Sequence, residues 1–131
     1  MKMEIFFEGK KQVCARYHGH VIRTDQPVEA GGDSSAPAPF DLFLASIGTC
    51  AGIYVKSFCV QRNIPSDDIK IIQTMEFDQE TRLIGRILLD IQLPKEFPEK
   101  YKEALVNTAN LCAVKKHLLH PPEFDVFTTV K

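Results

Sequence analysis

The chain has 131 residues, which suits one domain with a single core, and we predict one domain over residues 1–131. Sixteen basic and seventeen acidic side chains leave a formal net charge of −1, so no long-range field favours nucleic acid or an anionic membrane surface as a partner. A charged N-terminus and four cysteines without dense, regular spacing argue against a secretory signal and a disulfide scaffold, so we expect a cytoplasmic protein with reduced thiols.

The first part of the chain has the alternating pattern of antiparallel strands. Residues 1–7 and 12–17 alternate apolar and polar side chains on either side of a turn at Glu8-Gly9-Lys10, which predicts a hairpin. Gly19 permits a second reversal, so residues 20–23 are predicted to form a third short strand. Residues 25–39 are rich in proline, glycine and serine, and this composition predicts a long loop.

A long helix is predicted after the loop. Pro39 suits a first helical turn, Asp41 complements the positive end of the helix, and the pattern continues to Arg62 before a proline stops it. Most of this segment is apolar on every face, so the helix is expected to be buried within the domain or between two subunits. Relative to alanine, Gly48 and Gly52 together cost roughly 2 kcal/mol of helix propensity, which indicates close packing or a functional gap beside them.

The rest of the chain predicts a hairpin, a helical region and a last strand. Residues 69–77 and 83–93 form the hairpin arms, with one buried and one wet face. Pro98 opens a helical region in which a stripe at helical spacing directs Cys112 inward. Residues 124–130 finish the chain as a strand. Strands, a long helix, strands, two shorter helices and a strand make an α+β fold with antiparallel pairing, not a doubly wound parallel sheet.

Two cysteine-containing segments carry a family resemblance. Pro37-x-Pro39-x-Asp41-Leu42 leads to Cys50, and Leu111-Cys112-x-Val114 follows much later in the chain. Together these motifs resemble the OsmC/Ohr family of thiol-dependent hydroperoxide reductases. The resemblance implies an OsmC-like fold, in which antiparallel sheets pack on a long central apolar helix and two chains intertwine as a homodimer. It also implies a pocket that the partner chain completes beside the reactive cysteine.

The implied chemistry rests on the two thiols. The resemblance implies that Cys50 is the peroxidatic cysteine and Cys112 the resolving cysteine. A small organic hydroperoxide would then be the substrate, and a dithiol would be the reductant. Neither a cofactor nor a metal ion is implied. The four histidines lack an accompanying paired-cysteine motif, which favours structural or surface roles over a metal site.

Cys50 needs a feature that lowers its pKa, because an ordinary thiol is only about 3% ionised at pH 7. It lies near the middle of its own helix, where the macrodipole contributes little, so we expect a neighbouring cation. The arginine that the family takes from its N-terminal strands corresponds to Arg16, which points either into a subunit pocket or into solvent. The family's glutamate position holds Phe40 here, and an acid follows at Asp41. Two further candidate cations lie in the C-terminal helical region: Lys115 and Lys116.

Gly19-His20 before a short strand and the apolar residue at position 40 resemble the OsmC-like, YhfA-like subgroup of this family.

Two interpretations other than a hydroperoxide reductase remain open. The main alternative to a hydroperoxide reductase is a non-catalytic protein that binds a small hydrophobic or thiol-containing ligand at the dimer interface. A purely structural dimer is the third interpretation. Cys14 and Cys59 are expected to be small apolar packing residues, because buried cysteine commonly has that role.

Overall fold

The computed structural model describes all 131 residues and has an α+β fold, as predicted. The chain divides into two compact units, Met1–Ala45 and Ser46–Lys131. The regular structure consists of two small antiparallel sheets, three α-helices and two short 3-10 helices, at Val28–Ala30 and Glu99–Tyr101. The elements in chain order are β1 (Glu4–Glu8), β2 (Gln12–Tyr17), β3 (His20–Thr24), α1 (Pro39–Gln61), β4 (Lys70–Asp78), β5 (Leu83–Gln92), α2 (Lys102–Ala109) and α3 (Ala113–Leu119).

The first unit contains a three-stranded meander in the order β1-β2-β3. The turn between β2 and β3 places both central residues in the left-handed region, with φ of 49° at His18 and 77° at Gly19. Such a two-residue turn matches the twist of the strands that it joins. The predicted hairpin and third strand are therefore confirmed, with the reversal at Gly19.

The segment between β3 and α1 is organised around one buried carboxylate. Asp25 is only 1% exposed and accepts backbone N–H groups from Gln26, Asp33 and Ser35. The Ser35 hydroxyl donates a further hydrogen bond of 2.6 Å. These donors, the Ser35 hydroxyl first, lower the pKa of Asp25 to about 2. The loop is therefore ordered by hydrogen bonds to a charged group.

Asp25 makes the stability of the protein depend on acid pH. Its pKa lies near 3.8 when unfolded and near 2 when folded, so its contribution is complete above about pH 4 and disappears as the pH falls towards 2. In urea unfolding at pH 6 and pH 3, Asp25→Asn is expected to be destabilised at pH 6 and to lose less stability than wild type between the two values. The exposed Asp125→Asn serves as the control. Parallel pH dependence of wild type and Asp25→Asn would contradict this assignment.

The second unit packs the antiparallel β4–β5 hairpin against helices. A register shift at Glu76/Phe77 interrupts the hairpin near its turn. Apolar side chains from the strands, including Ile71 and Ile91, contact a buried cluster. The cluster consists of Val55, Phe58, Cys59, Phe97 and Leu105. Cys59 is fully buried, and burial raises the pKa of its thiol, in keeping with a packing role.

Helix α1 begins at Pro39, as predicted, and ends one residue before the predicted Arg62. A Cβ atom on Gly48 would lie 2.6 Å from the side-chain oxygen of Gln73, so the expected close approach is present there. By length and composition alone, α1 is able to cross a membrane. The core helix of a soluble protein meets the same criteria, so one such helix is weak evidence for a membrane span.

Two predictions about the C-terminal part were wrong in detail. Residues 121–131 form no strand, because no neighbouring strand pairs with them within the chain. The two predicted shorter helices are present, but Cys112 does not share a helix with Leu105, since it lies in the interruption between Ala109 and Ala113. The inward orientation of Cys112 is confirmed, with 2% of the residue exposed.

Candidate functional site

Cys50 and Cys112 lie side by side in the second unit. Cys50 is on α1 and is partly exposed, whereas Cys112 immediately precedes α3 and is buried. The Cys112 thiol is close enough to Cys50 to act on its pKa as a hydrogen-bond donor. Neither is in a disulfide, so both are available as thiols. The fold thus brings together the two cysteines that sequence analysis selected.

The interruption between α2 and α3 shapes the position of Cys112. The Leu111 N–H donates to the Thr108 carbonyl at 3.0 Å, which closes the turn after α2. Cys112 then caps α3, because its Sγ accepts the backbone N–H of Lys115 at 3.5 Å. The Lys115 ammonium reaches back to the Asn110 side-chain oxygen at 2.6 Å. These bonds hold the buried thiol at the start of α3.

The hydrogen bonds around Cys50 favour its thiolate. The Cys112 thiol makes the largest contribution to lowering the pKa of Cys50, and the backbone N–H groups of Val114 and Ala113 add to it. Burial opposes these contributions. All three donors are neutral groups, whereas a cation was predicted beside Cys50. The start of α3 supplies N–H groups that a mid-helix position on α1 lacks.

Cys112 has the opposite electrostatic character. Burial is the main cause that raises the pKa of its thiol, and the hydrogen bond to Cys50 raises it further. At neutral pH the pair therefore consists of a more acidic thiol at Cys50 and a protonated donor at Cys112. This asymmetry matches the division of labour between an attacking and a resolving thiol.

Arg16 lies on β2 in the first unit and is already paired. Its Nη1 lies 2.7 Å from Glu4 Oε2, and its guanidinium lies 4.5 Å from the centre of the Phe6 ring. Asp41 is engaged elsewhere, since its carboxylate accepts the Ala38 N–H at 3.2 Å. Phe40 stacks with another phenylalanine on the same helix. A role for Arg16 at the thiol stays a prediction.

A largely apolar cavity of about 490 Å³ lies beside the buried thiol in the second unit. Its volume is within the range of sites for small organic ligands. Cys112 forms part of the wall, and three polar residues interrupt the apolar lining. The lining residues are Ile47, Ala51, Ile87, Leu89, Asp90, Ile91, Val106, Ala109, Asn110, Cys112, Lys115 and Leu118. The cavity wall formed by β5 was not predicted, because the apolar alternation of this strand indicated only that one of its faces is buried.

Comparison with known proteins settles the family. The model of the family described as OsmC-like protein matches residues 31–127, which include both cysteines. This chain is a member of the OsmC-like family. No curated protein gives a significant match to the sequence.

Solved structures show the same OsmC-like fold. A protein of Psychrobacter arcticus 273-4, provisionally described as an osmotic stress induced and detoxification response protein, is 22% identical; the match covers 88% of this chain and 86% of that chain, with a TM-score of 0.72. An OsmC-like protein of unknown function from Vibrio cholerae is 7% identical over 88% and 90% of the chains, with a TM-score of 0.62. An organic hydroperoxide resistance protein OsmC from Legionella pneumophila, named a "predicted redox protein", is 17% identical over 89% and 87% of the chains, with a TM-score of 0.52.

Proposed function

We propose that this OsmC-like protein reduces organic hydroperoxides, with Cys50 as the peroxidatic and Cys112 as the resolving cysteine. One observation carries the proposal: the fold places the Cys112 thiol beside Cys50, where it is the largest cause of the lowered pKa of Cys50. A lowered pKa increases the thiolate fraction, and the thiolate is the nucleophile towards a peroxide oxygen. Membership of a family with a redox-protein relative supports the same chemistry.

The proposed cycle balances atoms and electrons in three steps. The Cys50 thiolate attacks the terminal oxygen of ROOH, the O–O bond breaks, and a proton completes ROH while Cys50 becomes a sulfenic acid. The Cys112 sulfur then attacks the Cys50 sulfur, which forms the disulfide and releases water. A dithiol reductant finally exchanges with this disulfide and restores both thiols. Each turnover transfers two electrons from the dithiol to the peroxide.

The cavity supports an organic substrate over hydrogen peroxide. Its wall is formed mainly by aliphatic side chains, and Cys112 opens onto it. Burial of an apolar substrate body contributes about 25 cal/mol per Å² of surface removed from water, a gain that hydrogen peroxide lacks. The organic hydroperoxide resistance protein of Legionella pneumophila has the same fold, which agrees with this substrate class.

The functional form in this proposal is a cytoplasmic homodimer. Many large apolar side chains are exposed on the single chain, among them Phe7 at 82% and Phe124 at 84%. A second copy that covered such side chains would remove apolar surface from water. In this assembly the partner chain completes the pocket, and Arg16 is the candidate cation for the Cys50 thiolate.

The test is a single-turnover reaction of fully reduced protein with one equivalent of cumene hydroperoxide. We expect cumyl alcohol to form, two thiols per chain to disappear, and a peptide cross-linked through Cys50 and Cys112 to be found by mass spectrometry. Hydrogen peroxide should react more slowly at the same concentration. Peroxide consumption at the buffer rate, or a cross-link that involves Cys14 or Cys59 instead, would contradict the proposal.

The cavity also favours the second candidate function, a non-catalytic binding protein. An apolar site of this size accepts a small hydrophobic or thiol-containing ligand whether or not the thiols react. The single-turnover experiment separates the two functions, because a binding protein leaves cumene hydroperoxide intact.

A further inference from the structure

We propose that Lys115 and Asn110 form an anchor for the carboxylate of an amphipathic ligand that occupies the apolar cavity. Both residues belong to the cavity lining, next to Cys112. The inference specifies the ligand class of the site on which the proposed function rests. The anchor requires only the cavity and these two side chains, so ligand binding can be measured without peroxide turnover.

The two side chains leave several donors unused. The Lys115 ammonium has three N–H donors and gives one to the Asn110 side-chain oxygen at 2.6 Å. This bond fixes the amide so that its oxygen is occupied and its NH₂ group remains a donor. An ammonium and an amide NH₂ held together on one wall present hydrogen bonds suited to the two oxygens of a carboxylate.

The charge of Lys115 is not neutralised within the chain. Five ion pairs connect other charged side chains at 4.0 Å or less, and none of them includes Lys115. Lys102, by comparison, pairs with Glu99 at 2.6 Å. An unpaired ammonium beside an aliphatic surface therefore favours a ligand that carries both a negative head and an apolar body.

The remaining lining determines how such a ligand would lie. Asp90 is the other charged residue of the wall, and its Oδ2 accepts a hydrogen bond from Gln92 at 3.1 Å. Its negative charge disfavours a carboxylate at that position, so the head belongs at the Lys115 end. The apolar body would then extend along Ile87, Leu89 and Ile91 of β5.

Lys115 is exposed to solvent, so its contribution to binding is modest and sensitive to salt. We expect wild type to bind octanoate about five-fold more tightly than 1-octanol at low ionic strength, which corresponds to about 1 kcal/mol. The preference should shrink at high ionic strength, because screening weakens the attraction between ammonium and carboxylate.

The experiment titrates reduced protein with octanoate and with 1-octanol, followed by calorimetry or by NMR shifts. Lys115→Gln should bind octanoate no more tightly than 1-octanol, and Lys115→Arg should retain the preference for octanoate. Lys116→Gln is the matched control, since it removes the neighbouring charge outside the cavity lining. Equal binding of both probes by wild type, or an unchanged preference in Lys115→Gln, overturns the anchor. Loss of the preference in the Lys116→Gln control also overturns it. Cumene hydroperoxide lacks a carboxylate, so its turnover tests the proposed function separately.

Discussion

Replacement of Cys50 by serine is expected to lower the steady-state reduction of cumene hydroperoxide by dithiothreitol by about 1,000-fold or more, to the uncatalysed rate. A serine hydroxyl is not ionised at neutral pH, so the hydrogen bonds from Cys112 and from the N–H groups of Ala113 and Val114 have no anion to stabilise. The measurement is peroxide consumption under excess dithiol. Cys59→Ser is the control, because Cys59 is a fully buried packing residue on the same helix.

Cys112→Ser should fail in a different way. Its Cys50 retains a thiol that reacts once with the peroxide, but the resolving sulfur is absent, so consumption should stop near one equivalent when the reductant is a slow monothiol. The sulfenic acid can be trapped with dimedone and located by mass spectrometry. Equal turnover in wild type and both variants would exclude the cysteine pair as the catalytic centre.

Leu105→Ala is expected to reduce the free energy of unfolding by about 3 kcal/mol, the largest stability loss among the changes considered. Leu105 is fully buried in the cluster with Val55, Phe58 and Phe97, so the substitution removes apolar contacts and leaves a cavity. Urea unfolding followed by circular dichroism gives the difference directly.

Leu119→Ala provides the matched control for this core variant. Leu119 is 66% exposed at the end of α3, and the same chemical change should alter the stability of the chain by less than about 0.5 kcal/mol. A similar loss in both variants would show that the cluster around Leu105 is not the core of the second unit.

The sequence was sufficient for the regular elements because their signals are local. Alternation predicted the two hairpins, and proline at position 39 predicted the first residue of α1. Residues 124–130 have the same alternation, yet they form no strand, since a strand also needs a partner that pattern alone does not supply.

The site was predictable only in part. The resemblance selected Cys50 and Cys112, and the fold places these thiols in contact. The donors on Cys50 were not foreseen, because the stripe placed Cys112 on the same helix as Leu105 and left the start of the second short helix undefined. Asn110, a residue that suits a helix end, was the signal that favoured an interruption.

The interruption before α3 determines which backbone N–H groups face Cys50. In an unbroken helix, the N–H groups of Ala113 and Val114 would be spent on the carbonyls of Ala109 and Asn110, one turn earlier. Substitutions that joined α2 to α3 would then make the backbone more regular and leave the sulfur of Cys50 without two of its donors. A more regular helix would therefore leave Cys50 with a smaller thiolate fraction at neutral pH.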